Sequence, residues 1–137
     1  MDSTMTMVKA ATVKRQATVQ VLAETAVALR HTLGAGSEHD NQTLDRLERM
    51  VWLELVHACP DRQEREYLIE QARATVAAPG APSCRYAARL LVRLGGLLLH
   101  AAAQPPTQDQ ERVRGIADEC GRSAVRLERI ALNTGGV

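Results

Sequence analysis

Apolar residues recur along the chain at helical rather than strand spacing, and the pattern is broken at four places, which predicts five helices. The first is expected over about Val8–Leu33, with Val8, Ala11, Leu22, Ala26, Leu29 and Leu33 on one face. Gly34 and Gly36 end it, because glycine after a helix takes the left-handed conformation that stops the ladder. A second helix over about Leu44–Ala58, capped by Asn41 or Thr43, carries Leu44, Leu47, Val51, Leu55 and Ala58 on one face. Met50, Trp52, Leu53 and Val56 extend its apolarity round most of its girth, so it reads as the central helix or as part of a subunit interface.

Cys59-Pro60-Asp61 breaks the chain, since the residue before a proline is driven out of the helical region. Asp61 with Glu64 resembles a capping box and opens a third helix to about Ala78, faced by Leu68, Ile69, Ala72 and Val76. Pro79-Gly80-Ala81-Pro82 stops it. Ser83 caps a fourth helix to about Ala103, the most apolar of the set, with Leu90, Leu91, Leu94, Leu97, Leu98 and Ala101. Gly95-Gly96 inside it implies either close backbone packing against another helix or a kink. After Gln104-Pro105-Pro106, Thr107 and Gln110 open a fifth helix to about Leu132, with Val113, Ile116, Ala117, Cys120, Ala124, Leu127 and Ala131 inward. The expected fold is all-α, a compact bundle of about five helices in one domain spanning 1–137, with 1–7 and 134–137 frayed.

Composition narrows the function classes. The net charge is +1 and basic residues are not clustered, so no nucleic-acid partner is expected. No apolar run is long enough to span a membrane, and no continuous apolar stretch near the start reads as a secretory signal, which points to the cytoplasm. Cys59, Cys84 and Cys120 are odd in number and far apart, and read as reduced thiols packed as small apolar groups. There is no phosphate-cradling glycine loop, no dinucleotide fingerprint and no nucleophile elbow. Glu54 and His57 form one E-x-x-H, but a di-iron bundle needs the motif twice plus two more carboxylates, so neither a metal nor any cofactor is expected.

What remains is a set of polar residues in costly places. Arg15 projects onto the stripe of Leu22, Ala26 and Leu33, where a charge must be paired, snorkel, or point into a cleft and hold a carboxylate. Gln16, Gln20, Glu24 and His31 line the opposite face, either as a solvated surface or as amides that hold a peptide backbone. Arg85, Arg89, Arg93 and His100, with Tyr86 beside them, run along one side of the fourth helix. They either pair with Glu64, Glu66 and Glu70 of the third helix or form a carboxylate-binding wall. Glu54 projects near the Leu47 side of its helix, where a partly buried carboxylate can act as a base.

The stretch Val13-Lys14-Arg15-Gln16-Ala17-Thr18-Val19-Gln20 through Leu29-Arg30-His31, with the overall size, helical layout and lack of a cofactor motif, resembles the lysinoalanine synthase family of duramycin- and cinnamycin-type lanthipeptide biosynthesis in actinomycetes. The resemblance implies a helical homodimer, a peptide substrate, and a crosslink closed by addition of a lysine amine to dehydroalanine; it carries over no catalytic residue. Such a reaction needs a lysine of reference pKa ~10.4 deprotonated and an oxyanion stabilised, without cofactor. Orientation alone supplies roughly 7 kcal/mol or more of the barrier. On this reading Arg15, Gln16, Gln20, Tyr86, Arg89 and Arg93 bind and polarise the peptide, and Glu54 or His31 accepts the proton. The alternative is a non-catalytic helical interaction or regulatory module, in which the broad apolarity of the second and fourth helices is a partner surface.

Overall fold

The computed structural model describes the backbone of residues 2–76, 83–102 and 110–133, and the side chains of residues 17–76, 83–101 and 110–133. Those residues form a bundle of five helices without a strand: α1 (Asp2–Thr32), α2 (Glu38–Ala58), α3 (Arg62–Val76), α4 (Ser83–Ala102) and α5 (Gln110–Asn133). The all-α expectation holds. None of these helices is long and apolar enough to cross a membrane. The expected stop at Pro79–Pro82 and the expected cap at Thr107 lie outside the described residues.

The central helix is α1, so of the two readings of α2's apolar girth the central position is not the one it takes. Every residue from Val21 to Leu29 except Glu24 is buried, and α2, α3 and α4 all pack on this helix. Runs of alanine and valine make this possible, since short side chains let neighbouring helices come close on several sides. On α2 only one flank is inside: Leu44, Leu47, Val51 and Leu55 are fully buried, while Trp52 is 42% and Leu53 66% exposed. Leu33, expected in the core, is exposed just past the end of α1.

Gly34 ends α1 with φ +93°, and its N–H donates to Asn41 Oδ1 at 2.9 Å. That role takes Asn41 away from capping. The cap of α2 is Ser37, seven residues before the expected start, in a reciprocal box with Asp40: each side-chain oxygen accepts the other's backbone N–H at 3.2 Å. Thr43, the other expected cap, lies inside α2 and donates its hydroxyl to the His39 carbonyl. At the next corner Asp61 accepts from the Gln63 N–H, and Arg65 donates to the Cys59 carbonyl, which fixes the turn around Pro60.

Helix α3 lies on α1 through Ile69, Ala72 and Val76. Helices α4 and α5 form the most extensively packed pair, and α5 also touches α2. Gly95 faces that seam, where a Cβ would make ordinary contact at 3.5 Å with the Ala117 carbonyl oxygen and 3.7 Å with Cys120 Cβ. Gly96 is exposed with open space around it, and α4 continues through both glycines as one helix.

Candidate functional site

The arrangement of α1, α2 and α3 leaves a trough. Helices α2 and α3 leave the Pro60 corner in opposite senses and both rest on α1, but they do not pack closely on each other. Between them opens a groove of about 860 Å³, with Ala26 and Val27 of α1 at its floor, Trp52 and Leu53 on one wall and Ile69 on the other. A second depression of about 480 Å³ shares Trp52, Ile69 and Arg73 and continues the groove towards Arg62 and Arg65. An indole beside an exposed leucine is expensive to leave in water, and such a site is the usual place for a ligand or partner.

The rim is charged and paired. Arg30 of α1 meets Glu48 of α2 at 3.5 Å, Arg49 meets Asp45 at 3.0 Å, and Arg73 meets Glu70 at 2.7 Å. His31 stands beside Arg30 at the α1 edge. Exposed pairs of this kind contribute about 0–1 kcal/mol each to stability, so the rim adds little to the fold.

The residues singled out from sequence fall in several places. His31 is exposed and lines the groove. Gln20 is exposed on α1, outside the residues that line it. Arg15 and Gln16 belong to α1, and their side chains lie outside the described ones. Arg89 and Arg93 are exposed on α4, whereas Tyr86 is half-buried against the core. Glu54 is buried and forms an ion pair with Arg112 of α5, tying α2 to α5 on a flank away from the trough. Of the expected link between α3 and the arginines of α4, Glu66 and Glu70 pair instead within their own helix, with Arg62 and Arg73. Sequence reasoning offered the broad apolarity of α2, Trp52 and Leu53 included, as one candidate partner surface, but missed the rim of Arg30, Arg49 and Arg73. The signal for that surface was a helix with more apolar residues than one buried face can use.

A second polar centre is structural. Asp40 Oδ1 accepts from Arg126 at 3.1 Å and Arg129 at 2.8 Å, locking the α1–α2 turn onto α5. Burial would push its carboxyl upward. The hydrogen bonds from Arg126 and Ser37, with the Arg129 charge nearby, prevail and hold it below its ordinary 3.8. Cys120 is fully buried, and burial, with the Glu119 charge adding, pushes its thiol up to about 12, so it is no nucleophile. Among the described residues no cluster of His, Cys, Asp and Glu could hold a metal ion. No family model, curated protein or solved structure matches the chain, so the reading of the groove stands on its own geometry.

Proposed function

We propose that the chain is a helical binding module that takes a peptide segment of another protein into the α1–α2–α3 groove. The observation that carries this is the exposed Trp52–Leu53 pair, set over an apolar floor and bordered by guanidinium groups. Aromatic and arginine side chains are those that concentrate binding energy at interfaces. Trp52 is the sole tryptophan, so its fluorescence reports on the groove directly. A displayed library of random peptides, selected on the full chain and counter-selected on a Trp52→Ala/Leu53→Ser variant, is expected to enrich peptides that shift the Trp52 emission. Enrichment of the same peptides on both proteins would count against the groove.

A second reading is favoured by His31 alone, because an imidazole in the groove wall beside Arg30 pairs a proton acceptor with a donor for developing negative charge. On it, the bound peptide is a dehydroalanine-containing lanthipeptide, and the module closes a lysinoalanine bridge by orienting amine and alkene. The addition leaves mass unchanged but consumes the alkene, so a thiol reagent should label the peptide less after incubation with the protein, and His31→Ala should restore labelling. Equal labelling with and without the protein leaves only the binding reading.

A further inference from the structure

We infer that the occupant of the groove is an amphipathic α-helix of a partner protein, apolar along one stripe and bearing carboxylates along the edge that meets Arg30 and Arg49. The inference rests on the peptide-binding reading above and gives it an occupant.

Shape is the first argument. The trough has a helix for a floor and a helix for each wall, so a further helix laid between α2 and α3 would lie in a cradle of three helices and cover the exposed Trp52 and Leu53. An extended peptide fits less well, because the described residues include no strand whose edge could satisfy its backbone. A helix brings its own hydrogen bonds and offers side chains at i, i+3, i+4 and i+7 to Val27, Trp52, Leu53 and Ile69.

Charge selects one edge. In the Arg30–Glu48 pair the guanidinium side chain is 75% exposed and the carboxylate 15%. In the Arg49–Asp45 pair the figures are 77% and 41%. Guanidinium is therefore the more outward partner on the α1–α2 side, whereas on the α3 wall Arg73 and Glu70 are exposed alike, 60% and 69%. Each arginine has five N–H donors in a fork, more than one neighbour uses. Carboxylates on the edge of an incoming helix that faces α1 and α2 meet donors, whereas ammonium groups there meet like charge first.

The test uses the full-length chain and three fluorescein-labelled peptides of about fourteen residues, roughly four helical turns. One has a leucine stripe flanked by glutamates, the second has lysines in place of the glutamates, and the third is the acidic peptide with a central proline. By anisotropy the acidic helix is expected to bind roughly tenfold tighter than either control, and less tightly as salt is raised. The Arg30→Glu/Arg49→Glu variant, altered only at exposed side chains, should keep its circular dichroism and reverse the preference to the lysine peptide. Equal binding of the acidic and basic peptides, or of the proline peptide, overturns the inference while leaving the groove reading intact. Should the library selection also yield nothing, both fall. Self-association in sedimentation that Trp52→Ala abolishes would make a second copy the occupant and overturn the inference as well.

Discussion

Single residues that look alike in the sequence do different physical work here, and the glycines show it. At Gly36 a Cβ would lie 2.8 Å from both Asp40 Cβ and Ile130 Cδ1, so Gly36→Ala should destabilise by about 1–3 kcal/mol in urea unfolding. At Gly96 nothing lies within 4 Å, and alanine there should raise stability by about 0.5–1 kcal/mol, because glycine inside a helix loses more backbone freedom on folding. Asp40 gives a pH signature. A carboxyl whose folded pKa lies below its unfolded 3.8 contributes stability that is complete above that value and is lost as pH falls through the folded one. The protein should therefore weaken below about pH 4, and Asp40→Asn should be less stable at neutral pH, with a shallower acid limb, in denaturation followed by circular dichroism. The thiols divide the same way. In the native protein an aromatic disulfide reagent at mild alkaline pH should titrate the half-buried Cys84 and spare the buried Cys59 and Cys120, all three reacting after unfolding.

At the scale of the element, periodicity in the sequence located all five helices and most inward faces, because burying an apolar stripe is the dominant favourable term in folding. It misplaced the start of α2, since Asn41 and Thr43 are good caps by type, and only tertiary geometry shows Asn41 engaged by Gly34. It also left α2 open as either the central helix or part of a subunit interface. Apolarity all round a helix is shared by a buried element and by one that keeps a sticky flank outside; Trp52 and Leu53 put α2 in the second class. The candidate site was legible only in part. His31 was visible, but the pairing of Arg30 with Glu48 joins two helices and has no local trace.

At the scale of the whole molecule, the peptide-binding proposal requires stability and binding to draw on different residues. Leu29→Ala, at the fully buried centre, should cost about 2–5 kcal/mol and be felt throughout the bundle. Trp52→Ala, on the partly exposed wall, should cost less unfolding free energy than Leu29→Ala while it removes peptide binding. Had the groove been a structural seam, both changes would lower the midpoint alike.

The position of α1 at the hub also bears on how the chain comes into being. Synthesis delivers this helix first, whereas α4 is complete only about seventy residues later. At a typical pace of about 5–20 residues per second, the surface that ends up innermost stays uncovered for several seconds on a nascent chain. Hub-first order makes the earliest segment the one most in need of shelter, so slowing translation ahead of α4 should lower soluble yield more than slowing it after α5.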